Sequence, residues 1–174
     1  VNGPVEIGPL STFYSFNPVE GFRLRFGGRT TTQFSKRFYT EAYGAYGFKD
    51  ERWKFFLGGT YSINNKSIYT YPLNYIRGSF QRETSIPGQD LQFVQEDNLL
   101  LSFKRGINDK WMYNDIYRLE YMYEFGDHMS VRLQYKNLKQ EAAGGLNFVY
   151  SEGSLTDTLQ TYRTSEFGFE WRWA

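Results

Sequence analysis

Few side chains in this sequence suggest acid–base catalysis. The one histidine is His128, in "FGDHMS", where Asp127 precedes it. A hydrolase of the Ser–His or Asp–His type needs an imidazole oriented by a nucleophile or a carboxylate, and neighbours in one turn seldom form such a pair. We therefore expect His128 to be a solvated turn residue, and we expect no catalytic residues and no enzymatic activity.

Carboxylate pairs and metal ligands give the same expectation. Glu120 and Glu124 would share one face of a strand at a separation of about 13 Å, which is wider than the roughly 5–9.5 Å of glycosidase carboxyl pairs. The sequence has no cysteine, and "GINDKWMYND" lacks the ligand spacing and closing glutamate of a calcium loop. No glycine-rich phosphate loop precedes a helical segment. We expect no metal and no cofactor.

Composition and charge exclude further classes of protein. The 20 basic and 19 acidic residues give a net charge of +1, so nucleic acid is not an expected partner. Aromatic residues make up 20% of the chain, and no apolar run approaches the roughly 18 residues of a membrane helix. The opening "VNGPVEIG" has no signal-peptide features. We expect that processing removed such a segment, or that the sequence is a piece of a longer protein.

The closing segment "TSEFGFEWRWA" shows which elements would position the charged side chains. Aromatic residues occupy every second position from 167 to 173, and charged residues or glycine lie between them. A strand sorts such a pattern onto an aromatic face and an ionic face, whereas a helix would mix the two. Similar alternation predicts ten strands, at 4–16, 22–32, 38–48, 53–63, 68–83, 98–106, 111–125, 129–140, 146–151 and 163–173.

The length of these strands and the composition of their apolar face favour a membrane barrel. Several strands reach about eleven residues or more, whereas strands of soluble sandwiches average about five or six and tilted membrane strands need about 9–11. The four tryptophans lie near predicted strand ends, where membrane barrels carry aromatic girdles. We predict an all-β fold: an antiparallel up-and-down meander of about ten strands, forming a transmembrane β-barrel or part of one, in one domain spanning 1–174.

In this prediction the two faces have different environments. The charged face would line the interior as a network of paired side chains, with Glu120 and Arg132 as an example of cross-strand partners. The predicted interior residues are Arg23, Arg25, Arg29, Glu41, Lys54, Lys104, Arg118, Glu120, Glu124, Arg132, Lys136, Glu166, Glu170 and Arg172. The predicted lipid-facing aromatics are Phe22, Phe26, Trp53, Tyr121, Phe125, Phe167, Phe169, Trp171 and Trp173.

The two longest predicted connections would lie at one end of the sheet. They are 84–97 and 152–162, the fifth and ninth connections of the strand series. Outer-membrane barrels keep their long loops outside and their short turns on the periplasmic side. Turns such as "QFSKR" and "NNKS" would then be periplasmic.

Several motifs between residues 7 and 55 resemble one known family. They are "NPVEG" at 17–21, "GGR" at 27–29, "FSK" at 34–36, "EAYGAYG" at 41–47 and "RWK" at 52–54. This stretch is similar to the C-terminal outer-membrane barrel of Gram-negative proteins that begin with a carboxypeptidase-regulatory-like β domain. That barrel resembles the BamA-like surface-antigen superfamily. The likeness implies no catalytic residues, and this chain has no counterpart of the amino-terminal domain.

The expected function follows from the pattern and the resemblance together. We expect a non-enzymatic segment of a bacterial outer-membrane β-barrel that acts in outer-membrane assembly, translocation or transport. Its partners would be outer-membrane lipid or detergent, the rest of the parent barrel and other envelope proteins. An outer-membrane barrel enzyme and a soluble ligand-binding β-barrel remain the alternatives, because alternation alone also fits a barrel whose greasy face points inward.

Overall fold

The fold is known from a computed structural model that describes residues 3–8, 13–87, 110–152 and 155–173. These ranges contain eleven strands and no helix, so the all-β prediction is confirmed. The strands are β1 Val5–Ile7, β2 Tyr14–Asn17, β3 Gly21–Thr30, β4 Phe38–Gly47, β5 Trp53–Ser62, β6 Asn74–Ser85, β7 Lys110–Glu124, β8 Met129–Gly144, β9 Phe148–Glu152, β10 Leu155–Leu159 and β11 Thr161–Trp173.

The main sheet is an antiparallel meander. Its order is β1-β3-β4-β5-β6-β7-β8-β11, and β2 pairs with β3 beside β1. The hairpin of β9 and β10 forms a separate two-stranded sheet between β8 and β11 in the chain. Among the described strands, no pairing joins β11 to β1 or β2, so the sheet is open. The predicted antiparallel meander is therefore confirmed, as an open sheet that could be part of a barrel.

Several predicted strand and loop assignments differ from the structure, and one predicted strand lies outside the described residues. The strand predicted at 4–16 is two short strands, β1 and β2, each paired with a different part of β3. The strand predicted at 68–83 starts only at Asn74, because Ser67–Thr70 form a turn and Pro72 cannot donate to a ladder. The predicted loop 152–162 contains β10, and β11 begins at Thr161 rather than 163. The predicted strand 98–106 lies outside the described ranges.

Short turns with local hydrogen bonds join the strands. Asn17 closes the β2–β3 turn, since its side-chain oxygen accepts from the backbone N–H groups of Val19 and Glu20 at 3.1 and 2.8 Å. Gly21 then takes a left-handed φ of 67°. The β7–β8 turn is closed by the N–H of Phe125, which donates to the carbonyl of Met129 at 2.8 Å. These turns fix the strand register on which the two faces depend.

The register defines two ends of the sheet. The upper end is where β5 begins, β6 ends, β7 begins and β8 ends, and the lower end is the opposite one. The chain leaves β6 and enters β7 at the upper end, and the β9–β10 hairpin connects β8 to β11 there too. Of the two long connections that were predicted to share one end, 152–162 lies at the upper end, whereas 84–97 falls largely outside the described residues. The β5–β6 ladder stops at Phe55 and Arg82, although β6 continues to Ser85 in its pairing with β7.

Candidate functional site

The strand register sorts the side chains of the sheet onto two chemically different faces. Alternate residues of each strand form the polar face. One row of this face is Arg77, Glu120 and Gln134, which neighbour one another across β6, β7 and β8. The aromatic face follows the other parity, as in the row Ile76, Tyr121, Leu133 and Phe169. The sequence pattern thus has a direct structural counterpart.

The structure places the predicted residues as follows. Of the fourteen charged residues, thirteen lie on the polar face, and Lys104 is outside the described ranges. The nine predicted aromatic residues all occupy the alternate positions that form the aromatic face. Phe125 lies just beyond β7 and packs against Tyr123 with ring centroids 4.6 Å apart. The charged side chain of Lys54 is 1% exposed, whereas the aromatic side chain of Phe167 is 85% exposed. Apolar Phe56, Ile116 and Met122 are buried among the polar side chains of the inner face.

The most buried charges form a cluster at the upper end, where β5 leaves β6. Arg23 donates two hydrogen bonds to the carboxylate of Glu83, at 2.7 and 2.8 Å. Lys54 contacts Glu20 at 2.8 Å and Asp50 at 2.5 Å. Glu20 also lies 3.5 Å from Arg23 and thereby links the two pairs. We call these five residues the buried ion cluster.

Neutral side chains complete the hydrogen bonding of the cluster. The hydroxyl of Tyr43 donates to Glu83 at 2.5 Å, and the hydroxyl of Thr84 donates to Glu20 at 3.0 Å. The guanidinium of Arg25 lies 3.7 Å from the ring centroid of Tyr43. The cluster thus pairs the acids Glu20, Asp50 and Glu83 with the bases Arg23 and Lys54. A group in which every charge has an oppositely charged partner and further hydrogen bonds avoids the large cost of an unpaired buried charge.

The contacts within the cluster also indicate that the sheet is curved. Arg23 belongs to β3 and Glu83 to β6, which are three strand spacings apart in the sheet order. In a flat sheet that distance would be about 14 Å, yet the two side chains form a two-bond ion pair. The sheet therefore curls with its polar face on the inside of the curve, as the wall of a barrel does.

Glu20 lies in the β2–β3 turn, and its pKa is perturbed. Burial alone would raise the pKa of Glu20, but the positive charges of Arg23 and Lys54 outweigh burial and hold the pKa below its ordinary value. Asn17 adds a hydrogen bond to the same carboxylate. Glu20 is therefore charged in the folded protein at neutral pH.

A second network runs across β6, β7, β8 and β11. The carboxylate of Glu120 accepts from Tyr75 and Gln134, both at 2.8 Å. The predicted pair of Glu120 and Arg132 lies diagonally across the ladder at 4.0 Å, whereas Arg132 approaches Glu170 to 3.2 Å. The structure therefore assigns Arg132 a nearer acidic partner, on β11, than the one predicted.

Sequence reasoning missed several buried members of the polar face. Glu20, Asp50 and Glu83 complete the ion cluster, although none was among the predicted residues. Asn114 and Gln140 form an amide pair at 2.7 Å, and Asn114 also donates to Ser85 at 2.9 Å. Their alternation within β7 and β8 could have identified the two amides, because both have the parity of the charged face.

The aromatic face ends toward the upper end at a transverse row of charged residues. Arg82, Asp115, Lys139 and Arg163 are successive neighbours in the register of β6, β7, β8 and β11. We call these four residues the charged row. Below it, the outward positions of β7 from Tyr117 to Phe125 are all aromatic or leucine. They cover about 27 Å along the strand.

The described residues also include the other candidates for chemistry, His128 and the acidic side chains. His128 is exposed in the β7–β8 turn with a φ of 59°. Within the described part of the chain, no three histidine or acidic side chains converge as metal ligands do.

Comparison with protein-family models, with curated proteins and with solved structures gave no match for this chain. Over the ranges that the structure covers, no helix has the length and apolar character needed to cross a membrane.

Proposed function

We propose that this chain forms part of the wall of a bacterial outer-membrane β-barrel and has a non-enzymatic role in outer-membrane assembly, translocation or transport. The observation that carries the proposal is the burial of the two faces. Lys54 and Glu83 are nearly inaccessible on the inside of the curve, whereas Leu57 and Trp171 are 57% and 65% exposed on the outside. A barrel with a polar interior and an apolar exterior is the arrangement suited to lipid.

The soluble barrel is the alternative that this burial disfavours. A soluble ligand-binding barrel would fill its interior with apolar side chains and present its charges to water. Here the aromatic face is a broad continuous surface, far beyond the scattered exposed apolar residues of ordinary soluble proteins. Transfer of that surface from water into hydrocarbon is favourable by roughly 25 cal/mol per Å².

The dimensions of the aromatic face support the same proposal. Its extent of about 27 Å along β7 becomes roughly 20 Å of membrane thickness at the usual strand tilt, near the apolar band of about 25 Å in outer-membrane barrels. Trp53 and Trp111 lie near the upper ends of β5 and β7, and Trp171 and Trp173 lie at the lower end of β11. Tryptophan at both borders is typical of membrane interfaces.

Within the proposed barrel, the polar face lines the interior. The buried ion cluster and the Glu120–Arg132–Glu170 network hold the curvature of the wall and set the electric field for any molecule inside. The resemblance of residues 7–55 to a Gram-negative outer-membrane barrel family adds independent support. The long connections at the upper end would then be extracellular.

Site-directed nitroxide labels at 169 and 170 test the proposal. In vesicles, a label at Phe169 should be relaxed by oxygen dissolved in lipid, and a label at Glu170 should be relaxed by a water-soluble nickel complex. Phe169→Arg should cost about 2–4 kcal/mol of folding free energy if the position lies near the midplane, whereas the matched Thr161→Arg, on the same face of β11 but above the charged row, should cost much less. If the accessibility of the two labels were reversed, the membrane assignment would be rejected and the soluble barrel would become the favoured alternative.

A further inference from the structure

The charged row interrupts the aromatic face and carries positive charge that is only partly neutralised. Arg82 donates two hydrogen bonds to Asp115, at 2.6 and 2.9 Å. Lys139 and Arg163 are directly opposite each other in the β8–β11 ladder. Neither forms an ion pair with any residue that the structure describes. Like charges in directly opposed positions repel each other, so an anion between them would stabilise the pair.

A cavity opens beside this row at the upper end of the sheet. Its volume is about 360 Å³, and Lys139, Arg82 and Asp115 contribute to its lining. Arg52 enters from the β4–β5 turn, 3.3 Å from Glu141 and 4.1 Å from the ring centroid of Tyr113. The cavity lining also includes Lys54 and Glu83 of the buried ion cluster. The lining and the charged row together carry five cations and three carboxylates, an excess of two positive charges; they are Arg52, Lys54, Arg82, Lys139, Arg163, Glu83, Asp115 and Glu141.

Aromatic side chains lie beside the row and directly below it. The guanidinium of Arg82 is 5.6 Å from the ring centroid of Phe55. Phe55 packs on Phe80 with centroids 5.3 Å apart, and Phe80 packs on Tyr117 at 4.5 Å. Trp53, which also lines the cavity, is 65% exposed. Any ligand in the cavity would therefore have its charged part beside cations and its lower part beside an apolar surface.

We propose that the cavity and the charged row bind the phosphate of an anionic membrane lipid, whose headgroup has no positive charge of its own, while the acyl chains of that lipid lie along the Phe55–Phe80–Tyr117 stack. This inference rests on the proposed membrane function. Guanidinium and ammonium groups recognise phosphate oxygens by charge-assisted hydrogen bonds. A soluble phosphate would use the cations equally well but would gain nothing from the aromatic stack, so the arrangement favours a lipid-borne phosphate.

Native mass spectrometry of the detergent-purified protein can test the site. The two probes are palmitoyl-oleoyl phosphatidylglycerol, which is anionic, and palmitoyl-oleoyl phosphatidylcholine, which has no net charge. We expect the wild type to bind phosphatidylglycerol more tightly. In the double variant Lys139→Gln/Arg163→Gln, affinity for phosphatidylglycerol should fall about fivefold for each cation removed.

Two further variants separate charge at the site from other effects. Lys36→Gln/Lys66→Gln removes the same charge from exposed turns at the lower end and should leave the lipid preference unchanged. Lys139→Arg/Arg163→Lys preserves the charge and should keep the preference, with circular dichroism confirming the fold of each variant.

Three results would overturn the inference. They are equal binding of the two lipids by the wild type, an unchanged preference in Lys139→Gln/Arg163→Gln, and full competition by millimolar inorganic phosphate. The last would identify a site for soluble phosphate. The nitroxide labels at 169 and 170 report the membrane assignment independently, so that a failure of the lipid site can be distinguished from a failure of the membrane assignment.

Discussion

Neutralising Glu83 should destabilise the fold more than any surface charge change of the same kind. Its side chain is 1% exposed and accepts two hydrogen bonds from Arg23 and one from Tyr43. Glu83→Gln keeps the shape but leaves Arg23 buried with one remaining acid, Glu20, at 3.5 Å. Breaking a buried ion pair costs about 3–5 kcal/mol, and the retained acid places the expected loss near 3 kcal/mol.

Urea unfolding in phospholipid vesicles, followed by tryptophan fluorescence, measures this loss. Glu166→Gln is the matched control, since Glu166 pairs with Lys136 at 3.2 Å but is 57% exposed, and its loss should stay within about 1 kcal/mol. The cycle of Arg23→Gln and Glu83→Gln should show a coupling of about 2 kcal/mol. Equal losses in Glu83→Gln and Glu166→Gln would refute the view that the buried ion cluster stabilises the fold.

Three other predictions concern close packing, pH and the second network. Gly27→Ala should lower the free energy of unfolding by about 1–3 kcal/mol, because the new Cβ would lie 2.4 Å from the Cβ of Tyr43. Gly59→Ala has open space for its Cβ and should be near neutral in the same unfolding assay. Because the pKa of Glu20 is lowered in the folded protein, its charge contributes fully to stability above the ordinary glutamate pKa of about 4.3. That contribution is lost as the pH falls through the lowered pKa. The difference in unfolding free energy between wild type and Glu20→Gln should therefore close on acidification, and a constant difference would contradict this. A double-mutant cycle on Glu120 and Arg132, 4.0 Å apart, should give a coupling of only a few tenths of a kcal/mol, and more than about 1 kcal/mol would show a tighter pair than the structure has.

Alternation along single strands was the part of the fold that the sequence predicted well. In β11 it assigned a face to Phe167 and to Glu166, and the register with β8 agrees with both assignments. It failed where local chemistry overrides alternation. Because of Pro72 and the turn before it, β6 begins later than predicted. The polar segment "SLTDTL" lacks clear alternation, so β10 was predicted as part of a loop.

The buried ion cluster could not have been predicted from the same pattern. Arg23 and Glu83 are 60 positions apart and belong to strands that do not pair. Their contact depends on how strongly the sheet curls, which alternation does not encode. Glu20 belongs to a turn in the sequence, and its carboxylate is held by contacts with Asn17, Lys54 and Thr84 that alternation within strands does not predict.

Among the described strands, β11 pairs only with β8, and its open edge has a consequence for how the proposed barrel enters a bilayer. Hydrocarbon offers no hydrogen-bond partner to backbone N–H and C=O groups, and each one left open costs several kcal/mol. Along the 13 residues of β11, this penalty would exceed what the aromatic side chains of a single strand gain from lipid. Another strand must therefore join β11 before or during insertion. At the other border of the sheet, β1 and β2 run antiparallel to β11, the direction that closure requires. Membrane insertion and completion of the ladder would thus be one coupled event.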